Sequence, residues 1–261
     1  TATTISGSWT NQGVVIANAT LPMEDPWVYR DPVTGTYHLW AENKTGGTNA
    51  NGIAHFTSSD GVTWVSENNT AIDKGTAGTW SDQDVSSPVV WKEAENDWRM
   101  LYEGRGTGSN GKIGYATATS PNGSWTKSGS NPVMSVGAGG TWDDFAVVPD
   151  GLVKIGSTYW LVYHGNSDSS TVRHGLASST DLITWTKAAH NQITSSDWAL
   201  ASFMLPMSTD FDRGYTDFIT STDLGEIQLW GDAAAQTSEW PDFGATTKYS
   251  WWAWNRFGVH A

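Results

Sequence analysis

Five tryptophans recur at nearly constant spacing along the chain. Trp9, Trp64, Trp125, Trp185 and Trp240 are separated by 55, 61, 60 and 55 residues. Each lies at or near the end of a similar phrase. Three of these are Ser58-Ser59-Asp60-Gly61-Val62-Thr63-Trp64, Ser120-Pro121-Asn122-Gly123-Ser124-Trp125 and Ser179-Thr180-Asp181-Leu182-Ile183-Thr184-Trp185. The repeat also runs through the termini. The opening TATTISGSWTNQG matches residues 117–129, TATSPNGSWTKSG, and the closing RFGVHA resembles KIGYAT at Lys112–Thr117. The C-terminus therefore reads as one strand, and the N-terminus as the next strand of the same unit. A repeat array whose two ends complete one unit is a closed ring, and this period predicts a β-propeller.

Local signals agree. Short segments rich in Val, Tyr, Trp, Ile and Thr alternate with Gly, Asn, Asp and Ser clusters, and no stretch sustains helical periodicity for three turns. Residues 84–129 parse as one blade: strands at Ser87–Lys92, Trp98–Glu103 and Lys112–Thr117, then a fourth around Trp125. Pro26–Tyr29 and Tyr37–Glu42 take the first two places in the preceding blade, and Pro149–Ile155 and Tyr159–His164 in the following one. A shorter fourth blade is expected from Phe203–Met207, Tyr215–Thr220 and Glu226–Trp230. The fifth is expected from Gly244–Ala261 joined to Thr1–Val15. The expectation is one all-β domain spanning residues 1–261: a five-bladed β-propeller of four-stranded antiparallel blades, closed by both termini in one abbreviated blade.

Composition narrows the partners. Seventeen Trp, eight Tyr and seven Phe supply core area that a 38% hydrophobic content would otherwise lack. A formal charge of −13 argues against nucleic acid and anionic membranes, which attract basic patches. No apolar run approaches the length of a membrane span. The absence of cysteine excludes disulfides and thiolate chemistry. The start at Thr1 suggests a mature or trimmed form, and the sequons at Asn18, Asn43, Asn68 and Asn122 favour secretion; a monomer is expected.

In a propeller the strand ends converge on a shared depression, where function is expected. A residue that recurs from blade to blade is scaffold, and one that breaks the repeat is a candidate. Before the inner-strand prolines stand Asp25, Ser87, Val148 and Leu205, so only the first blade has a carboxylate there. At the close of the second strands stand Glu42, Glu103, His164 and Thr220. Cleaving a glycosidic bond needs two carboxyl groups, one acting as acid and one as base or nucleophile. Asp25 is the candidate base or nucleophile. Glu103 is the candidate acid, with Asp150 its competitor.

Glu24 and Glu42 are candidate substrate contacts. Arg30 and Arg105 are candidates to orient a carboxylate, and His164 to bond a sugar hydroxyl or replace a missing acid. Trp27 and Trp254 are candidate stacking platforms. Each has a plainer reading: Asp before Pro sets turns, and the ring of Glu and His would equally satisfy backbone groups or hold water. The blade connections add the carboxylates Asp82, Asp84, Asp143 and Asp144, of which Asp84 and Asp144 read rather as loop braces. No P-loop, dinucleotide-binding, HExxH or Cys/His metal spacing occurs, and the six histidines show no close pairing in sequence. No cofactor is required. An axial calcium ion held by carboxylates or carbonyls is compatible with the ring.

The phrases EDPWVYRDPVTGTYHLW, SSPVVWKEAENDWRMLYEGRG and VVPDGLVKIGSTYWLVYHG resemble the blade starts of the five-bladed propeller glycosidases. This is the arabinanase, levansucrase and invertase superfamily, with glycoside hydrolase families 43, 32 and 130 as relatives. The resemblance implies a catalytic Asp early in the first inner strand, which Asp25 matches. It also implies an Asp after the second-blade proline, where Val89 stands, and a Glu near the third inner strand, where Val147, Val148 and Asp150 stand. Glu24-Asp25-Pro26 and Tyr163-His164-Gly165 look more like family 130, in which mannosides are phosphorolysed, although Trp27 replaces the Arg usual after that motif. A six-bladed sialidase is disfavoured, because Asp60-Gly61 lacks the intervening residue of its Asp box.

The implied activity is hydrolysis of a polysaccharide or oligosaccharide, with a furanoside such as arabinan as leading substrate. The alternatives are a catalytically silent sugar-binding propeller and a family 130-like phosphorylase.

Overall fold

The computed structural model describes residues 13–16, 23–44, 52–107, 110–167 and 171–188. The expected fourth and fifth blades, Trp9, Trp240 and the ring closure lie outside them.

The described residues form three four-stranded antiparallel sheets, each a simple meander. The first comprises β1 (Met23–Arg30), β2 (Tyr37–Asn43), β3 (Gly52–Ser58) and β4 (Val65–Asp73). The second comprises β5 (Asp84–Ala94), β6 (Asp97–Arg105), β7 (Lys112–Ala118) and β8 (Thr126–Lys127). The third comprises β9 (Ala146–Ile155), β10 (Thr158–Asn166), β11 (Arg173–Ser179) and β12 (Thr186–Lys187). No helix occurs among the described residues. The three blades expected over this region are thus present, with inner strands two or more residues longer than the sequence signals suggested.

The blades pack through apolar faces dictated by strand alternation. Trp40, Val90, Met100, Leu101, Ile113, Val147 and Leu161 are among the buried residues of one core that runs through all three sheets. Polar ties span the seams. The indole Nε1 of Trp27 donates to the Val90 carbonyl at 2.7 Å, joining the first blade to the second. Lys92 pairs with Asp31 across the same seam at 3.2 Å. Lys154 pairs with Glu93 across the next seam, where Tyr159 also donates to Glu93 at 2.9 Å.

The repeated tryptophan phrases are turn devices. Asp60 Oδ1 accepts from the Val62 and Thr63 amides at 2.8 and 2.7 Å, and the Trp64 indole donates to the Gly61 carbonyl at 3.3 Å. Asp181 repeats this with Ile183 and Thr184 at 2.9 and 2.7 Å, and Trp185 with Leu182 at 3.2 Å. Each Asp satisfies amides that the turn would otherwise leave without a partner, and each Trp is packed against the core.

Candidate functional site

The inner strands begin where the second strands end, so the residues at this edge of each blade share one mouth. The ladder pairs Glu24 with Glu42, Ser86 with Glu103 and Val148 with His164. The expected equivalence of Glu42, Glu103 and His164 therefore holds in the described blades; Thr220 lies outside them.

Just below this edge every inner strand carries a bulge. Asp25 and Pro26 oppose one residue between the Glu24 and Trp27 pairings, and Ser87 and Pro88 do the same between Ser86 and Val89. In the third blade Asp150 is the extra residue. Counted from the paired edge, Asp25 and Ser87 correspond to Pro149, not to Val148. The alignment on prolines was one residue out there, because Pro149 is the first of its two bulge residues, whereas Pro26 and Pro88 are the second of theirs.

Asp25 and Ser87 have φ of +49° and +48°. Left-handed backbone in front of a proline is sterically disfavoured. It turns both side chains toward each other, and Ser87 Oγ donates to Asp25 Oδ2 at 2.8 Å across the seam. Asp25 stays exposed to solvent.

Glu42, the ladder partner of Glu24 next to Asp25, is only 3% exposed. Among the described residues its Oε1 accepts no hydrogen bond, and it pairs with Lys44 at 3.6 Å. Lys44 is drawn away to Glu24, which it contacts more closely. Burial pushes the Glu42 carboxyl up to about 7, helped by the negative field of Asp84 and then opposed by Lys44, with smaller contributions from Asp25 and Glu24. Near neutral pH this side chain therefore holds a proton part of the time.

Glu103 is buried and fully engaged. Arg105 donates to it from Nε at 2.7 Å and from a terminal nitrogen at 3.2 Å, and Ser86 Oγ donates at 2.8 Å. Gly111 makes room for this arrangement: a Cβ there would stand 2.2 Å from Glu103 Oε1. Arg105 thus sits on a mouth carboxylate.

In the third blade Asp150 Oδ1 meets His164 Nδ1 at 2.6 Å, and Oδ2 lies 3.4 Å from His174 Nε2. Burial lowers the pKa of His164, but the bond and charge of Asp150 outweigh it, with Glu103 and Asp25 adding to the rise. The fields of Glu103 and Asp25 reach this imidazole, so mouth residues of all three blades act on one region. His174 was missed in the sequence. The nine residues between it and His164 carry no metal-site spacing, yet hairpin register sets the two directly opposite. His38 and His55 likewise come together, with ring nitrogens 3.1 Å apart. The absence of histidine pairing along the sequence did not survive folding.

Two candidates are scaffold. Trp27 is 8% exposed and packs in the inter-blade core, because the bulge resets the alternation and turns it inward. It offers no open face for a sugar. Arg30 sits at the far end of β1, six positions along from Glu24, on the order of 20 Å from the mouth at ~3.3 Å per residue. Its guanidinium lies 5.4 Å from the centre of the Tyr37 ring. Lys92 over Trp98 and Lys154 over Tyr159 hold the same ladder position at 5.8 and 4.8 Å. A cation that recurs over an aromatic ring in every described blade is structural.

Trp254 lies outside the described residues. Asp82 and Asp144 brace loops, accepting from the Gly78 and Gly140 amides at 2.6 Å each. Asp143 binds Lys187 at 2.6 Å and Tyr163 at 3.1 Å. Asp84 departs from the brace reading, for it is buried and loads its charge onto Glu42.

No family model matches the chain, and no curated protein sequence matches it. Solved structures do. The family 117 glycoside hydrolase Zg3597 of the marine bacterium Zobellia galactanivorans is similar at 23% identity and a TM-score of 0.57, over 74% of this chain and 62% of that one. Fructan 1-exohydrolase IIa of Cichorium intybus is similar at 20% identity and 0.55, over 67% of this chain and 33% of that one. The β-1,2-mannobiose phosphorylase of Listeria innocua is similar at 16% identity and 0.50, over 66% and 45%. The chain thus spans less than two thirds of each of these proteins. At such identities the likeness is one of fold alone.

Proposed function

We propose that this chain is a glycoside-active propeller that hydrolyses a glycosidic bond at the mouth formed by the edges of its first three blades. The observation that carries this reading is the pairing of unlike carboxyl groups. Asp25 is exposed and oriented by Ser87. Glu42, whose ladder partner Glu24 adjoins Asp25 and which feels the Asp25 charge, is buried and holds its proton to about pH 7. Acid and base roles need such a divergence of environment. Asp25 acts as base or nucleophile toward the anomeric centre. Glu42 is the proton source for the departing oxygen, and water supplies the hydroxyl that replaces the leaving group. Glu103, engaged by Arg105 and Ser86, shapes the field of the mouth rather than donating. Asp150 is committed to two histidines and is the weaker competitor for the acid role.

A furanoside such as arabinan is the leading substrate, met by a secreted, monomeric protein. A non-catalytic sugar-binding propeller is the second reading. It is favoured by the same engagement of Glu103 and Asp150, which leaves few free carboxylates for chemistry.

Turnover on a panel of polysaccharides, arabinan included, tests both. Asp25→Asn is expected to lower turnover by about 10²–10⁴-fold, the range for loss of an acid or base. Equal turnover by the variant would sink the mechanism. Saturable binding without turnover by the wild type would leave the binding reading in its place.

A further inference from the structure

The third blade brings together a donor set that the reaction at Asp25 does not use. Asp150 projects from the β9 bulge, His164 from β10 and His174 from β11, three adjacent strands. One ligand-type atom from each lies within 4.8 Å of the other two. All three side chains are well covered, with 14%, 30% and 12% exposure for Asp150, His164 and His174. Asp150 Oδ2 is buried and accepts no hydrogen bond among the described residues, a state that buried carboxylate oxygens rarely keep without an ion or water.

We propose that Asp150, His164 and His174 bind a divalent transition-metal ion of the zinc type. Ligands about 2.0–2.1 Å from a tetrahedral metal lie roughly 3.4 Å from one another. Asp150 Oδ2 and His174 Nε2 already stand 3.4 Å apart. One ligand atom from each of the three residues lies within 4.8 Å of the others, so reaching the tetrahedral spacing takes side-chain shifts of roughly 1.4 Å or less. Two imidazole nitrogens and one carboxylate oxygen suit zinc, cobalt or nickel. They do not suit calcium or magnesium, which take oxygen ligands. This site is therefore chemically distinct from an axial calcium held by carboxylates and carbonyls. Three protein ligands leave at least one position for water or a carbohydrate hydroxyl. The bulge creates the site: without the extra residue in β9, Asp150 would not stand over the His164–His174 pair.

The proposal is independent of the role given to Asp25, and its test does not read activity. The full chain, stripped with chelator, is titrated with zinc chloride by calorimetry and with cobalt chloride by visible absorption. One ion per chain is expected, with cobalt ligand-field bands of a four- or five-coordinate site and a rise in Tm. Calcium chloride at the same concentration is expected to produce no rise. His174→Ala and Asp150→Asn, each checked for folding by circular dichroism, should weaken zinc binding by at least about tenfold, a loss that even outer-sphere partners can cause. His164→Gln is the substitute should either fail to fold. Absence of saturable zinc binding would overturn the proposal. So would binding unchanged in the folded variants, or a preference for calcium.

Discussion

Ser87 Oγ donates a 2.8 Å hydrogen bond to Asp25 Oδ2, and the two residues hold the same ladder position in neighbouring blades with nearly the same left-handed backbone. Two copies of one repeat position have diverged into a carboxylate and the hydroxyl that orients it. Ser87→Ala is expected to slow turnover on the best substrate by roughly tenfold, the scale of one charge-assisted hydrogen bond of about 1.5 kcal/mol. Global stability should change by under about 1 kcal/mol, because the bond lies at the exposed mouth. Steady-state kinetics together with urea unfolding separate these effects. Unchanged kinetics would remove Ser87 from the site.

Glu42 makes stability depend on pH. Its native pKa, about 7, stands above the ordinary 4.5. Between those values the native state binds more protons than the unfolded chain, so this residue's contribution to stability falls as pH rises and is fully lost above about 7. Glu42→Gln keeps the shape and cannot ionise. It is expected to stabilise the protein at pH 8 by on the order of 2 kcal/mol, with little change at pH 4.5. Urea unfolding of both proteins at the two pH values checks this. If Glu42 is also the acid, the variant should lose turnover as it gains stability.

Trp27→Phe separates the packing role from the discarded sugar-stacking role. It removes the indole bond to the Val90 carbonyl, one of the polar ties across the seam beside Lys92–Asp31 and Ser87–Asp25. The expected cost is about 1 kcal/mol or somewhat more in urea unfolding. Carbohydrate affinity should stay within about twofold of wild type, since no indole face is open at the mouth. A large affinity loss in a stably folded variant would restore the stacking role.

Arg30→Ala is expected to leave turnover unchanged and to cost about 0.5–1 kcal/mol, the scale of an exposed cation–π contact. Lys92→Ala should cost more, because Lys92 also pairs with Asp31 across a seam at 3.2 Å. Burial works against the Asp31 charge, but the Val33 and Thr34 amides and Lys92 hold its pKa below normal. The stability from that carboxylate is present above its unfolded pKa and fades as pH falls through the native one. The difference between Lys92→Ala and Arg30→Ala should therefore narrow in acid. Thermal unfolding across pH measures it.

The blade pattern was legible in the sequence because Trp64, Trp125 and Trp185 each end a phrase whose chemistry is local. Asp60 and Asp181 close their turns through neighbours two and three residues away, so a linear reading captures them. The edge residues Glu42, Glu103 and His164 were legible because repeat spacing and ladder register coincide there. What failed depended on register that repeat spacing does not encode. One extra residue in a strand turned Trp27 from the mouth to the core. Hairpin pairing across β10 and β11 brought His174 to Asp150 with no motif to announce it. Arg30 reads as a candidate only until the ladder aligns it with Lys92 and Lys154.

The bulge in each inner strand works as a reset of reading frame. Below it, in-and-out alternation must serve the core and cannot vary freely. Above it, the frame starts afresh, and Glu24, Ser86 and Val148 share one paired position with three unrelated chemistries. The mouth is thus a set of exchangeable cassettes on a fixed barrel of cores. Grafting Glu-Asp-Pro from the first blade onto Ser86-Ser87-Pro88 would add two carboxylates to the mouth, in place of the hydroxyls that bond Glu103 and Asp25, while leaving the pairings below the bulge in register.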